Sequence, residues 1–394
     1  MALVSLLLSA LFWILSLGSS LAVAYLVLLT IAALFRPPRV SERVPVPADF
    51  RLVILVPAHN EASQLPLLAK SLAKQTLPTQ NFTVHVVADN CTDATAKIGR
   101  QAGFTVHERS DAGLRGKGHA LDWLIKRIDP TNVSAFVFID ADSQVSPNFL
   151  ERIGWQFAIG ARAVQVFYGV ADPEASWSKA ARAAAMLLVN GLRPLGRSNL
   201  GGSAGVKGTG MAFAPDLLRG HSWGSLLAED AAFHLDLVLQ GERVIFDDTA
   251  TVMAHVPASL EGAQVQNKRW EAGRLELVRT YVPRLLSKAL RGSGVALDSL
   301  ADLLVPPLSM LVAVILVGLL GGAILGSSGL VWLAVLSIVG LAFHVLAGMA
   351  IAGASGVHYR ALAMAPALIL WKVRLYLPLL FGRRPDGWIK TERD

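Results

Sequence analysis

A chain of 394 residues that is 53% hydrophobic and only 16% charged is too apolar to be a wholly soluble protein, so part of it belongs in lipid. Its formal charge of +7 does not mark a nucleic-acid binder, because many cations flank apolar runs, where they meet anionic lipid, and no basic motif with interleaved aromatics occurs. The single cysteine, Cys91, excludes an internal disulfide and suits a reducing compartment.

Residues 4–34 form a nearly uncharged run, long enough to cross ~30 Å of hydrocarbon. It has no basic leading region and no small-residue cleavage pattern, so residues 1–36 are expected to be a retained transmembrane anchor. Arg36, Arg39 and Arg43 follow it and nothing charged precedes it, which places the next block in the cytoplasm by the positive-inside rule. That block, 37–300, alternates short β-branched runs with helical stretches, and 52–57, 83–88 and 135–140 are expected as buried strands. The order implies an α/β domain with a mostly parallel sheet that binds ligands at the carboxyl ends of its strands, where Pro57, Asp89 and Asp140 fall. In a cytoplasmic block the sequons at Asn81, Asn90 and Asn132 are accidental.

Within Ser176–Leu195, Lys179, Arg182 and Arg193 recur among Ala, Met and Leu at helical spacing. This helix either presses on a membrane surface or packs on its own domain with a solvated basic side. Two more apolar runs, at about 303–325 and 330–354, make a transmembrane hairpin over 301–356. The final segment, 357–394, carries an apolar stretch at 361–381 interrupted by Lys372 and Arg374, then Arg383, Arg384 and Lys390. An amphipathic helix in the headgroup layer accommodates those charges, with Trp371 and Tyr376 at interfacial depth; the alternative is a fourth span with snorkelling ends.

Several residues in the central block carry chemistry. In Phe138-Ile139-Asp140-Ala141-Asp142-Ser143 an apolar strand runs into two carboxylates one residue apart, a pair able to hold Mg²⁺ or Mn²⁺, though Asp is also common at plain surface turns. Lys117 is flanked by Gly116 and Gly118, which let the backbone approach a ligand closely. Glu229-Asp230 opens a helical pattern at 231–239, where a carboxylate serves either capping or catalysis. Gln266, Arg269 and Trp270 share one helical face, where Arg269 can pair with an anion and Trp270 offers a flat aromatic surface, either for a ligand ring or as a staple holding an interface helix. His255 reads as structural, for it has no zinc-spaced partners.

Taken in order, Val53–Glu61, Val86–Asn90, Asp140-x-Asp142, Glu229-Asp230 and Gln266-x-x-Arg269-Trp270 resemble an inverting, membrane-bound glycosyltransferase of family 2. The resemblance implies a nucleotide-sugar-binding GT-A, Rossmann-like domain with transmembrane and interfacial helices. It implies that Pro57, Ala58 and Glu61 cradle base and ribose, that Asp89 contacts uracil, and that Asp140, with Asp142, meets the metal and diphosphate. Lys117 then lies by the donor, Asp230 beside Glu229 is the base, and Gly208, Thr209 and Gly210 approach the acceptor. Gln266, Arg269 and Trp270 serve acceptor or diphosphate, and the tail from Trp371-Lys372 to Gly387-Trp388 looks like bacterial exopolysaccharide-type members. The expected activity is metal-dependent, inverting transfer from a UDP-linked sugar to a membrane lipid or polyprenyl-diphosphate-linked acceptor. It would take place at a bacterial inner membrane, with the catalytic domain and C-terminus cytoplasmic. Three spans are few for the channel of a processive polysaccharide synthase, the rival enzyme. A non-catalytic scaffold, the rival of another class, has no need for Asp140, Asp142, Asp230 and Arg269 together.

Overall fold

The computed structural model describes residues 2–35, 45–221, 223, 228–255 and 260–380, with the backbone alone for 2, 4–5, 260–270, 373 and 375–380. Arg36, Arg39 and Arg43, on which the orientation argument rests, lie outside the described residues, as do Arg383, Arg384 and Lys390 of the basic tail.

Eight strands build one sheet: β1 (Leu52–Ala58), β2 (Phe82–Asp89), β3 (Thr105–Arg109), β4 (Ala135–Phe138), β5 (Ser143–Val145), β6 (Ala163–Val170), β7 (Met211–Phe213) and β8 (Val244–Ala254). Their order is β3-β2-β1-β4-β7-β6-β8-β5. β1 is parallel to β2 and β4, β2 to β3, and β6 to β8. The sheet is nevertheless mixed, because β7 runs against both β4 and β6, and β5 against β8. Alternation explains why β1 is apolar throughout: Ile54 and Val56 join a layer with Leu65, Leu68 and Phe149, while Val53 and Leu55 join one with Leu121, Phe136 and Phe213. β4 ends two residues short of the expected 135–140. Ile139 still donates to the Leu55 carbonyl, but the Asp140 N–H goes to the Thr209 hydroxyl at 3.1 Å, which lifts Asp140 out of the ladder. Asn81 is buried, with its amide on the Ala48 and Phe50 carbonyls, so its sequon is out of reach of modification.

Among the described residues, helices Ala2–Leu34 and Ser328–Ile351 are long and apolar enough to cross a membrane. The expected span at 303–325 is instead broken: helices Gly294–Leu304 and Leu308–Ile324 meet at a bend of 72°. Pro306 and Pro307 bring no N–H to continue the ladder, and the Arg274 guanidinium takes the freed Leu303 and Val305 carbonyls. The last helix, Ala365–Leu380, has 16 residues and reaches ~24 Å, short of a span and in keeping with an interfacial position.

Trp177–Met186, a π-helical turn at Leu187–Leu192 and Arg193–Asn199 follow one another directly. Ala183 and Met186 pack on Val170 of the sheet, and Ala184, Leu188 and Leu192 on Ala33 and Met349 of the apolar helices. This stretch thus joins the two halves of the molecule, and its basic side is not solvated. Arg197, 2% exposed, bonds Asp298 at 2.8 Å and Asp302 at 3.1 Å; Arg193 reaches Asp302 at 2.5 Å, and the Tyr25 hydroxyl donates to Asp298 at 2.8 Å. A side chain at Gly196 would collide with the Leu29 carbonyl, so only glycine lets these two helices cross at backbone contact.

Candidate active site

The carboxyl ends of β1, β2 and β4 open onto a cavity of about 820 Å³. Pro57 and Ala58, the last residues of β1, line it with Glu61 of the following turn, where Asn60 adopts φ 54° and the Glu61 N–H donates to the Thr95 hydroxyl at 2.8 Å. Asp89 lines it from β2. Its carboxylate is nearly sealed and accepts from Arg109 at 2.5 Å, and the His59 imidazole lies 2.7 Å from the Asp89 carbonyl. Arg109, at the end of β3, was not singled out from the sequence; its signal was an arginine at a strand end beside a candidate carboxylate strand.

Lys117 starts helix Lys117–Ile125 directly after Gly116, whose φ of 124° turns the chain toward the cavity. Its ammonium donates to Asp140 Oδ1 at 2.5 Å and to the Gly208 carbonyl at 2.7 Å. Burial opposes the charge, but Asp140, with Glu229 and Asp230 beyond it, outweighs burial and holds the lysine above its ordinary value. Asp230 is in the first turn of helix Glu229–Gln240, where Oδ1 accepts from the Ala231 N–H at 2.8 Å. A Cβ built on Gly208 would lie 3.2 Å from both Asp230 Oδ2 and Lys117 Nζ, so these groups converge on Gly208.

The 207–210 loop that brings them together is itself fixed. Gly208 and Gly210 take φ of 76° and 64°. Gln165, 1% exposed, donates to the Thr209 carbonyl at 2.9 Å and accepts from the Lys207 N–H at 2.9 Å. Gln165 also escaped the sequence reading, although a glutamine within the apolar run Ala163-Val164-Gln165-Val166-Phe167 was the available signal.

Asp142 is buried, accepts from the Ser143 hydroxyl at 3.5 Å and lines the same cavity. Among the described residues no three His, Cys, Asp or Glu side chains form a metal-binding group. A carboxylate pair still fits Mg²⁺ or Mn²⁺, hard ions that keep several waters and complete their shell with phosphate oxygens.

Away from the sheet the cavity continues past Leu277, the bend at Pro307-Leu308, Leu368 and Trp371. Glu271, Arg274 and Leu277 of helix Leu260–Leu290 line it there. The same helix carries Gln266, Arg269 and Trp270, whose side chains lie outside the described residues. His255 follows β8 and also reaches the cavity, 3.1 Å from the Gln144 amide.

Residues 53–213 match the family described as glycosyl transferase family 2, and residues 135–380 that described as glycosyl transferase family group 2. Protein RfbJ of Shigella flexneri is 27% identical over 94 residues, which span 24% of this chain and 66% of that protein, just under two thirds of its length. Among solved structures, the mannosyltransferase PcManGT from Pyrobaculum calidifontis, in complex with GDP-Man and Mn²⁺, is 18% identical with a TM-score of 0.54, over 93% of this chain and 99% of that one. That likeness is one of fold. S. aureus TarS 1–349 in complex with UDP-GlcNAc is 14% identical with a TM-score of 0.42, over 77% of this chain and 90% of that one.

Proposed function

Since the chain belongs to glycosyl transferase family group 2 and is a glycosyltransferase, we infer that it transfers one sugar, with inversion, from a UDP-linked donor to a lipid or polyprenyl-diphosphate-linked acceptor. The observation that carries this reading is the cavity itself, which joins the Asp140, Asp142 and Asp230 carboxylates to an apolar end at Leu277, Leu308 and Leu368. A water-soluble acceptor has no use for that end; a lipid tail does.

Pro57, Ala58, Glu61 and Asp89 receive the nucleoside, with Arg109 holding the Asp89 carboxylate in place. Asp140 and Asp142 would hold Mg²⁺ or Mn²⁺, which when bound neutralises the diphosphate as a Lewis acid. Lys117, already on Asp140, lies where the leaving diphosphate needs a cation. Asp230 takes the proton from the acceptor hydroxyl as its oxygen attacks the anomeric carbon on the face opposite the leaving group. Gly208, Thr209 and Gly210 shape the floor of that step, while Gln266, Arg269 and Trp270 meet the acceptor or the diphosphate. Helices Ala2–Leu34 and Ser328–Ile351 expose Ile14, Leu21, Trp332 and Val339, which supports seating in a membrane; the bacterial inner membrane with the sheet domain on its cytoplasmic side remains the reading from the charges that flank the apolar runs.

The test incubates the detergent-solubilised full chain with UDP- and GDP-linked sugars, Mn²⁺ or Mg²⁺ and a bacterial lipid extract, and reads products by mass spectrometry. One sugar added per lipid is expected. A ladder of additions would make the enzyme a processive synthase, and turnover onto soluble acceptors alone would overturn the lipid assignment.

A further inference from the structure

Strand β6 carries one polar side chain into the middle of the core. Gln165 is 1% exposed, and its neighbours Ala163, Val164 and Val166 are buried completely. A carboxamide in such surroundings is costly unless its atoms are partnered, and here they are. Nε2 donates to the Val166 and Thr209 carbonyls at 2.9 Å each and lies 3.2 Å from the Gly210 carbonyl, while Oε1 accepts from the Lys207 N–H at 2.9 Å.

Three of those four backbone groups belong to the 207–210 loop. Positive φ at Gly208 and Gly210 takes this loop out of the regular ladder, so the Gln165 side chain supplies pairing that a neighbouring strand gives elsewhere in the sheet. Gly210 has ties of its own: its N–H donates to the Phe138 carbonyl at 2.8 Å, and its carbonyl accepts from the Val166 N–H at 2.9 Å. For the Lys207 N–H and the Thr209 carbonyl the partner is Gln165. A carboxamide brings donor and acceptor together on one stem; methionine of similar length brings neither, and glutamate sets an acceptor against two carbonyls.

Gln165 is no part of the cavity wall, so its effect on the site passes through the loop. There the Thr209 hydroxyl accepts from the Asp140 N–H at 3.1 Å, and the Gly208 carbonyl takes the Lys117 ammonium at 2.7 Å. We propose that Gln165 is a positioning residue for sugar transfer, which by holding the 207–210 loop fixes Asp140 and Lys117 relative to each other. The inference rests on Asp140 as a metal-holding carboxylate and deepens that reading, because it names a residue behind the cavity that governs how Asp140 meets a divalent cation. Mg²⁺ demands near-ideal geometry of its oxygen ligands, so a shift of about 1 Å at Asp140 weakens its hold.

Calorimetry on the detergent-solubilised full chain, in EDTA and in Mg²⁺, tests this with whichever of UDP and GDP the wild type binds. Mg²⁺ is expected to tighten wild-type binding by about tenfold or more. Gln165→Met should keep the EDTA affinity within about threefold and reduce the Mg²⁺ tightening to about threefold or less. Initial rates of transfer onto a bacterial lipid extract should split the same way, with kcat down by about a hundredfold and donor KM within about threefold. Thr209→Val removes the hydroxyl on Asp140 and should reproduce both effects, and the two substitutions together should cost little more than one, because they break the same link. A melting profile checks folding, and if Gln165→Met fails it, Gln165→Glu, which keeps the size and the acceptor for Lys207, decides. A wild-type Mg²⁺ response in the folded Gln165 variant would overturn the proposal, as would equal losses with and without Mg²⁺, the mark of a general loss of structure, or full additivity with Thr209→Val. If Asp140→Ala kept the Mg²⁺ response, the metal assignment would fail and this inference with it; if Asp140→Ala lost the response and the Gln165 variants did not, the inference alone would fail.

Discussion

Gly208→Ala separates backbone strain from crowding of the site. At φ 76° an alanine costs about 1–2 kcal/mol in the left-handed region, before any neighbour is considered. Its methyl group would also lie 3.2 Å from both Asp230 Oδ2 and Lys117 Nζ, tight enough to push these two groups apart. Gly103 supplies the control: its φ is 81°, a Cβ there has nothing within 4 Å, and it precedes β3 at the edge of the sheet farthest from β7. Both substitutions should lower the apparent melting temperature in detergent by a similar amount, roughly 2–8 °C. Sugar transfer should fall by about a hundredfold in Gly208→Ala, the scale of a small misplacement of reacting groups, and stay within about twofold of wild type in Gly103→Ala. The assay is initial-rate transfer from a radiolabelled nucleotide sugar at matched protein. Wild-type transfer in Gly208→Ala, with the melting shift present, would refute the convergence of Lys117 and Asp230 on a reacting centre.

Three further outcomes are expected. Asp140→Ala should abolish donor turnover and weaken metal-dependent nucleotide binding while the protein still folds; unchanged turnover would remove the metal assignment. Asp230→Asn should keep nucleotide affinity and lose transfer by about a hundredfold or more, and a parallel loss of both would make Asp230 a donor-site residue. Arg109→Leu leaves the Asp89 carboxylate buried and unpaired, so unfolding in detergent should show a loss of about 3–5 kcal/mol, whereas a loss below about 1 kcal/mol would mean that solvent reaches Asp89.

The strands that hold the donor side were legible because burial on both faces demands continuous β-branched runs, and β1 and β2 have them. The carboxylates at their ends were legible for the same reason: an abrupt change from apolar to acidic marks a strand end. β7 was not, since Met211–Phe213 is three residues long, follows a glycine pair and has no period to read. Its antiparallel insertion between β4 and β6 is nevertheless what carries Thr209 to Asp140. Arg109, Gln165 and Lys207 share another difficulty. Each is an ordinary polar residue in its own neighbourhood, and its meaning comes from partners 20 or more positions away that only the folded chain supplies. The break at 305–307 differs again: Pro306-Pro307 was visible, but continuous apolar composition around it made an unbroken span look sufficient.

That break has a structural consequence for the chemistry. Helix Gly294–Leu304 carries Asp298 and Asp302, which bind the buried Arg197 and its neighbour Arg193. The Arg197 carbonyl accepts from the Gly202 N–H at 2.8 Å, and the Ala204 N–H bonds the Val244 carbonyl of β8 at 2.9 Å. Five residues later the same segment gives Thr209 to Asp140 and the Gly208 carbonyl to Lys117. Ion pairs, hydrogen bonds and the short backbone from Gly202 to Thr209 therefore link the bent apolar helices to Asp140 and Lys117. Removing one partner from a buried pair such as Arg197–Asp298 costs about 3–5 kcal/mol, far above thermal energy, so these links are not broken by ordinary fluctuation. On the proposed reading a membrane-held acceptor and a water-borne donor enter from opposite ends of the cavity, and these links would help to position the groups among which the attacking oxygen and the anomeric carbon must meet within about 3.5 Å.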